Sequence, residues 1–456
     1  MKYLCILIFT LTLTTTTRSQ PRITSHVDTV HSNILRENRR VCIYLPGSYG
    51  DTYFYPRHYP VLYLLDAEGA FNTVTSIVQL LSEGRGPLEF PELIIVAIAN
   101  TDRMRDLSPT HVTHDLNPHV DSNALKNTGG GEKFLSYIDK ELMPHIDSAY
   151  RTTPYKIFMG HSLGGLTVIN AFLHHTTMFN AYIATDPSMF WDDARLVSDA
   201  AAMLEKNKFA GRSLYLAIAN NTPPGLDTIS VRKDTTHPFS SHMRAIFRLR
   251  DLIVKAHPQT DWHFIPFTGN PPTPETIPSW SSSPGSSSPS DNFSTNSSSK
   301  NLSRQAPFRF AWKYYPDYDH GALPMPAQYD GLRFTFSFYS LYFPFYELFQ
   351  PSWKQDNLLE NHYKLISYYM GYKVSPPEVP VNDVGYRLLG AHQLDRAAYY
   401  FHLNIDNYPE SFNVYDSMGD LLAAQQQKDS AIKCYQQALL IREEPGTREK
   451  MEQLRR

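Results

Sequence analysis

Ser162 stands in a Gly-His-Ser-Leu-Gly segment (160–164) that directly follows the short apolar run 155–159 and precedes the apolar run 166–172. A Gly-x-Ser-x-Gly pattern between a strand and a helix is typical of a nucleophile elbow, in which the serine occupies a sharp, strained turn. The glycines avoid collisions between strand and helix, and the helix N-terminus faces a developing negative charge. The chemistry indicated is nucleophilic attack by the Ser162 hydroxyl.

A serine nucleophile needs a base, and after a Gly-x-Ser-x-Gly elbow the acid and then the histidine follow the serine in the chain. His320 is the best candidate for the base, because it follows the predicted last strand (310–315). The loop past the carboxyl end of a strand is where open α/β sheets hold their ligands. Other histidines belong to the elbow, to the helix behind it or to the segment after the previous strand: His161, His174, His175, His237 and His242.

The acid of such a set is expected soon after the preceding strand, predicted at 213–219. Asp227 is the first carboxylate there and is favoured, with Asp234 as the alternative. Its task would be to fix the tautomer of His320 and to offset the imidazolium charge. Either aspartate could instead cap a turn or the next helix.

An oxyanion hole needs two backbone N–H groups near the nucleophile. Leu163 should supply one, and Ala67 or Glu68, in the loop after the strand that ends at Leu65, should supply the other. A second loop carries charged residues that could shape the pocket or bind an acidic group of the substrate, although a loop ion-pair network is favoured for them: Asp102, Arg103, Arg105 and Asp106.

These residues need a scaffold that brings strand ends together, and the sequence predicts one. Short, nearly continuous apolar runs are typical of strands covered on both faces. They occur at 41–45, 61–65, 93–98, 156–159, 181–185, 213–219 and 309–315. An amphipathic helix is predicted at 132–149, and further helical stretches alternate with the strands. The fold class is therefore α/β, with a doubly wound sheet.

The 456 residues allow a large catalytic unit with an appendix. Residues 1–20 have one early lysine and a short apolar run, which is typical of a secretory signal peptide and too short to span a membrane. An exported protein, periplasmic or secreted, is therefore expected. Residues 21–350 form the predicted catalytic domain, interrupted by a Pro/Ser-rich, disordered insertion at 271–306.

A third segment, 378–456, is predicted to be helical and repetitive. Three pairs of residues recur at a spacing of 34: Gly385 and Gly419, Ala397 and Ala431, Phe401 and Tyr435. That period is the tetratricopeptide (TPR) period. Because fewer than three such repeats rarely fold alone, the TPR-like segment should either cap the catalytic unit or bind a protein partner.

Composition excludes several other classes of function. Lys plus Arg number 42 and Asp plus Glu 45, giving a formal charge of −3, so nucleic acid is not an expected partner. After removal of a signal peptide only Cys42 and Cys434 remain, in different predicted units, and no disulfide is expected between them. No Cys/His cluster has metal-ligand spacing, so neither a metal nor another cofactor is predicted.

Taken together, residues from about 25 to 345 resemble the esterase family of α/β hydrolases that includes esterase D and the ferric enterobactin-type siderophore esterases. The match rests on segments 61–66, 100–103, 105–110, 134–144, 150–152, 160–165, 186–188 with Trp191, and 319–321. The resemblance implies a Ser-His-acid hydrolase, with Ser162 and His320 at the family's serine and histidine positions. Asp186 stands where the family often has a Ser-Pro-Ser motif, which makes it a third candidate acid, and Ala67 stands where glycine is frequent.

Two functions of different classes follow. The leading one is hydrolysis of a carboxylic ester through an acyl-enzyme on Ser162, acting on a small-molecule substrate such as a siderophore ester or an acylated sugar. The alternative is a non-catalytic scaffold of the export pathway that recruits a protein through the TPR-like segment. A complete set of serine, acid and histidine favours the enzyme.

Overall fold

A computed structural model describes residues 24–83, 90–114, 122–258, 306–341, 345–348, 350 and 356–456. The predicted signal peptide (1–20) lies outside these residues, and so does the predicted insertion (271–306) except for its last residue. That residue, Ala306, is buried and its carbonyl accepts a hydrogen bond from the backbone N–H of Gly211. The rest of the predicted insertion stays a prediction from sequence.

One mixed sheet of eight strands organises the fold, in the order β1-β2-β4-β3-β5-β6-β7-β8. The strands are β1 (Thr24–Ser32), β2 (Glu37–Leu45), β3 (Tyr59–Leu64), β4 (Ile94–Ile98), β5 (Thr152–His161), β6 (Ala181–Thr185), β7 (Ser213–Ala219) and β8 (Arg309–Tyr315). The first two pairings, β1 with β2 and β2 with β4, are antiparallel and the others are parallel. The central strands β3, β4, β6 and β7 are buried along their whole length, as their continuous apolar sequences predict.

Helices cover both faces of this sheet. In the catalytic unit they are α1 (Ala67–Ser82), α2 (Arg103–Leu107), α3 (Ser122–Leu125), α4 (Gly131–Tyr137), α5 (Met143–Ala149), α6 (Leu163–His174), α7 (Trp191–Lys206), α8 (Pro238–Ala256) and α9 (Pro324–Thr335). One core, on the α6 and α8 face, contains Ile169 and Ile246, and a second, on the α1 and α9 face, contains Val74 and Leu332. The predicted helix at 132–149 is α4 and α5, joined by a π-helical turn at Ile138–Leu142. The prediction of a doubly wound α/β sheet is confirmed.

Further helices follow α9: α10 (Phe345–Leu348), α11 (Leu358–Met370), α12 (Glu378–Gly390), α13 (Leu394–Asn407), α14 (Phe412–Ala424), α15 (Lys428–Ile441) and α16 (Pro445–Arg455). Two successive helix pairs repeat one contact. A Cβ on Gly385 of α12 would collide with the ring of Phe401 in α13, and a Cβ on Gly419 of α14 would collide with the ring of Tyr435 in α15. Glycine at these positions lets an aromatic ring lie against the helix backbone.

These C-terminal helices pack against the catalytic unit at the end of the sheet where β3 begins. Arg442 lies over the rings of Tyr53 and Phe412, and its guanidinium donates to the carbonyl of Tyr53. The backbone N–H of Tyr55, four residues before β3, donates to Glu378. Because Ser162 follows the opposite end of β5, which runs parallel to β3, the helices lie away from the nucleophile.

Two further sequence-based expectations concern cysteines and membranes. Cys42 and Cys434 are both free thiols. Within the ranges given above, none of the helices combines the length and the apolar character needed to cross a membrane.

Candidate active site

The nucleophile turn is strained in the way its sequence predicts. Ser162 follows β5 and has φ 58° and ψ −119°, a conformation that non-glycine residues rarely adopt and that clusters at functional sites. A Cβ on Gly160 would collide with the carbonyl of Gly164, and one on Gly165 would lie 3.0 Å from Cα of Pro187. The glycines therefore allow strand, turn and helix to pack closely enough to lift the Ser162 hydroxyl above the sheet.

His320 lies against that hydroxyl, as the sequence predicts. Its Nε2 is 3.0 Å from Oγ of Ser162, although 158 residues separate the two in the chain. The loop after β8 that carries His320 is held by a hydrogen bond of 3.1 Å from its backbone N–H to the side-chain oxygen of Asn221, just past β7. The parallel sheet thus brings the ends of β5, β7 and β8 together at one edge.

The acid partner of His320 is Asp186, the residue that follows β6. Its Oδ2 lies 2.6 Å from Nδ1 of His320, and the carboxylate is fully buried. Because an ionised carboxylate can only accept, Nδ1 of His320 must carry a proton, which leaves Nε2 free to accept from Ser162. Burial raises the pKa of Asp186, but the charges and hydrogen bonds of His242 and His320 outweigh it and hold the pKa well below its usual value.

The structure does not place Asp227 or Asp234, the two acids favoured from sequence, beside His320. Asp227 caps its own turn, because its Oδ1 accepts from the backbone N–H groups of Ile229 and Ser230. Asp234 does the same for Thr236 and His237 at the start of α8. Short aspartate side chains commonly bind backbone groups two or three residues onward, and both sites follow this local alternative. The third candidate, Asp186, takes the position beside His320.

Two residues of the cluster were not assigned to it from sequence. Asn221 links the triad, since its Nδ2 donates to Oδ2 of Asp186 (2.9 Å) while its Oδ1 accepts from the backbone of His320. His242 also contacts Asp186, with Nε2 at 2.9 Å from the same Oδ2. A signal for His242 exists, because it shares the buried stripe of α8 with Ile246, and a buried imidazole needs a polar partner.

His161 packs beside the reacting groups without touching Asp186. Its ring centroid lies 4.5 Å from that of His320. Burial and the neighbouring charge of His320 lower the pKa of His161 to about 4. His161 is therefore neutral at physiological pH and adds no positive charge beside the base.

The predicted oxyanion donors each lie at the start of a helix. Leu163 is the first residue of α6, and Ala67 and Glu68 are the first two of α1. N–H groups in the first turn of a helix have no acceptor within it, so they are available to a developing anion. Asp66, immediately before Ala67, has φ 56° and sets the direction of this turn.

The charged loop around Arg103 forms an ion-pair network, which is the arrangement favoured from sequence. Nε and Nη2 of Arg103 donate to the two carboxylate oxygens of Asp66, at 2.7 and 3.0 Å. Asp106 is buried and accepts from Arg105 and Arg39. Asp102 caps α2 by accepting from the backbone N–H of Arg105. The pair between Arg103 and Asp66 holds the turn that precedes Ala67 and Glu68 at the start of α1.

One group in the described part of the chain has metal-ligand chemistry: Asp186, His242 and His320. The nitrogen to oxygen distances of 2.9 and 2.6 Å are those of hydrogen bonds to a single carboxylate oxygen. A metal on Nδ1 of His320 would displace the proton that Asp186 accepts. The geometry is explained without an ion, and we assign the cluster to the triad.

Comparisons with known proteins agree with the resemblance noted from sequence. Residues 32–229 match the family model described as "Putative esterase". The ferri-bacillibactin esterase BesA of Bacillus subtilis is 33% identical over 147 residues, which cover 30% of this chain and 50% of that protein. The siderophore triacetylfusarinine C esterase of Aspergillus fumigatus is 26% identical over 156 residues, 33% of this chain and 51% of that one. The chain thus spans about half the length of these curated relatives.

A solved structure extends the similarity. The crystal structure of an IroE-like serine hydrolase from Shewanella oneidensis superposes with a TM-score of 0.61 and 26% identity, covering 84% of this chain and 99% of that one. The comparisons support the predicted esterase-family relationship, and together with the sheet they confirm an α/β-hydrolase-like fold.

Proposed function

We propose that this chain is a serine ester hydrolase that acts through an acyl-enzyme on Ser162. The observation that carries the proposal is the continuous row of hydrogen-bonding atoms from Oγ of Ser162 through both ring nitrogens of His320 to Asp186. A nucleophile, a base within hydrogen-bond reach and a group that orients the base are the three parts such catalysis needs.

The geometry supports a definite sequence of steps. Nε2 of His320 takes the proton of Ser162 as Oγ bonds to the ester carbonyl carbon, and the carbonyl oxygen becomes an anion. Backbone N–H groups of Leu163 and of Ala67 or Glu68 stabilise that anion. The proton then passes from His320 to the departing alcohol, leaving an acylated serine. Water, deprotonated by the same nitrogen, releases the acid and restores the hydroxyl.

We further propose a siderophore ester as substrate. Support comes from the two curated relatives named above, both of which are siderophore esterases. An acylated sugar is the competing substrate class, because the residues that position the reacting atoms do not distinguish the two. A non-catalytic scaffold, the alternative considered from sequence, is not favoured by these relatives.

The test compares the full chain with its Ser162→Ala variant on 4-nitrophenyl butyrate, a triscatecholate siderophore ester in ferric and iron-free forms, and a feruloylated sugar. Mass detection identifies the products, and a fluorophosphonate probe reports the reactive serine. We expect wild type to cleave the siderophore and to gain one probe adduct on Ser162, and the variant to do neither. Equal turnover by both proteins would refute the proposal.

Export and partner binding are separate proposals. We propose that residues 1–20 direct export and that the C-terminal helices, α12 to α15, form two TPR-like repeats. Support for the repeats is the recurrence of one glycine-to-aromatic contact after 34 residues. The N-terminal sequence of the protein recovered outside the cytoplasm tests the first proposal. Co-purification of a partner by wild type, and its loss on deletion of 378–456, tests the second.

A further inference from the structure

One carboxylate oxygen in the candidate site accepts hydrogen bonds from two imidazoles. Oδ2 of Asp186 lies 2.6 Å from Nδ1 of His320 and 2.9 Å from Nε2 of His242. The two rings meet edge to face, with centroids 5.5 Å apart. The side chain of His242 is 8% exposed and that of Asp186 is completely buried. A Ser-His-Asp set requires only one of these imidazoles, so the second calls for a physical account.

The protons on the two rings follow from the chemistry of the acceptor. An ionised carboxylate cannot donate, so each nitrogen facing Asp186 must carry a proton. His242 is thereby held as the tautomer protonated on Nε2, and His320 as the one protonated on Nδ1. Asn221 adds a third donor to the same oxygen at 2.9 Å, and the backbone N–H of Ala219 occupies the other oxygen. The rotation of the carboxylate is therefore fixed by donors from several elements.

We propose that His242 is a positioning residue for the reaction, acting on His320 through Asp186. Its Nε2–H has two effects: together with Asn221 and Ala219 it fixes the direction of Oδ2, and it draws part of the carboxylate's charge away from His320. Without this donor, the whole charge of the carboxylate would face His320. This inference rests on the proposed esterase function, because it assigns His242 a role in that reaction.

The ionisable groups near His242 come from three parts of the fold. Asp186 follows β6, His320 lies in the loop after β8, and His161 belongs to the nucleophile turn, where the charges of His320 and Asp186 both act on it. On its own helix, His242 is followed by Met243, whose sulfur accepts from Thr222. Asp186 is thus the sole anion in direct contact with His242 among the hydrogen bonds and ion pairs of the described chain.

Two substitutions separate donation from packing. His242→Leu fills similar volume without a donor, whereas His242→Gln places an amide N–H close to where Nε2 now lies. With Leu we expect kcat/KM for 4-nitrophenyl butyrate to fall about 10-fold and the acid limb of its pH profile to move up by about one pH unit. With Gln we expect both to return to near wild-type values.

A second readout does not depend on turnover. The proton between His320 and Asp186 should give a downfield ¹H resonance, assigned by its loss in His320→Gln, and His242→Leu should shift it while His242→Gln leaves it near its original position. If the Leu variant does not fold, His242→Asn, whose amide is too short to reach Asp186, replaces it. An unchanged pH profile and resonance in the variant that lacks the donor would overturn the inference, as would a Gln variant equally impaired in both.

Failure of the esterase proposal looks different. In that case wild type and Ser162→Ala would cleave the ester equally, whatever residue stands at 242. Active wild type, inactive Ser162→Ala and an unaltered profile in His242→Leu would refute only the role of His242.

Discussion

Asp186 and His320 are 134 residues apart in the chain, yet Oδ2 of the first lies 2.6 Å from Nδ1 of the second. The acid comes from the end of β6, whereas the order of elements predicted it after β7. Since β6 and β7 are adjacent parallel strands, a carboxylate at either end can reach a histidine that follows β8. Asn221, past β7, contacts both residues and fills the place where the acid was expected.

Replacing Asp186 with asparagine should disable the base while leaving the shape of the site intact. The neutral amide cannot offset the imidazolium charge that forms on His320, and where its N–H₂ faces Nδ1 it favours the tautomer of His320 with its proton on Nε2. In serine hydrolases the corresponding change lowers kcat by about 10⁴-fold. We expect a loss of 10³- to 10⁴-fold in kcat for 4-nitrophenyl butyrate hydrolysis, with KM nearly unchanged.

The matched controls are Asp227→Asn and Asp234→Asn, because each of these carboxylates caps a surface turn. Their rates should stay within about 2-fold of wild type, since surface substitutions rarely disturb distant geometry. A large loss with Asp227→Asn, together with normal activity in Asp186→Asn, would reverse the assignment of the acid.

The sequence predicted the parts of the site whose physics is local. Ser162 is recognised because a strained turn between strand and helix needs glycines at fixed offsets. His320 is recognised because it follows the last of the predicted strands. Buried parallel strands can be identified in the sequence as apolar runs, and their carboxyl ends lie at one edge of the sheet. The strands at 181–185, 213–219 and 309–315 were predicted with bounds close to those of β6, β7 and β8.

What depends on contacts between distant elements was harder to predict. Asp186, Asp227 and Asp234 are each a single aspartate in a loop, and only the packing of α8 and the β8 loop selects the first. Strand β1 was not predicted, because Thr24–Ser32 alternates polar residues at an edge of the sheet. The burial of His242 depends on which face of α8 packs against the sheet. The sequence of that helix alone does not show that His242 will contact Asp186.

Arg103 should offset the negative charge of Asp66 near the predicted oxyanion hole. It pairs with Asp66, whose Oδ2 would lie 3.2 Å from a Cβ on Gly164, close to the N-terminus of α6. Arg103→Met would leave this carboxylate uncompensated, and its repulsion of a developing anion is worth about 1 to 2 kcal/mol at an effective dielectric near 20. We expect kcat to fall about 10-fold with little change in KM.

The double variant Asp66→Asn/Arg103→Met tests that explanation, because it removes both charges and should recover most of the lost rate. Arg195→Met serves as the control, since Arg195 is largely exposed and forms only a 3.9 Å pair with Asp199. A double variant as slow as Arg103→Met would show that Arg103 acts through packing instead of charge.

His161 should make the folded protein less stable in mild acid. Burial, aided by the charge of His320, lowers its pKa from 6.5 to about 4, so between these values the unfolded chain binds a proton that the folded chain does not. Stability is therefore lost as the pH falls from 7 to 5, by about 1 to 2 kcal/mol from this group. Urea unfolding at both pH values should show the loss in wild type and a smaller loss in His161→Gln.

The control for that measurement is His174→Gln, because His174, the last residue of α6, is exposed. Its loss of stability between pH 7 and 5 should equal that of wild type. An identical loss in His161→Gln would show that other groups account for the acid sensitivity.

Gly385 and Gly390 belong to the same helix, α12, but should respond oppositely to an added methyl group. A Cβ on Gly385 would lie 2.5 Å from Cε1 of the buried Phe401, whereas one on Gly390 would meet nothing within 4 Å. Gly385→Ala should therefore destabilise the protein by about 1 to 3 kcal/mol through overpacking. Gly390→Ala should be neutral or stabilising by up to about 1 kcal/mol, because alanine favours helix.

Thermal unfolding measures the stability of both variants. The kcat/KM of the folded Gly385→Ala protein should match wild type, because α12 packs at the end of the sheet away from Ser162. Normal stability in Gly385→Ala would contradict the close packing, and lost activity in its folded state would contradict the separation.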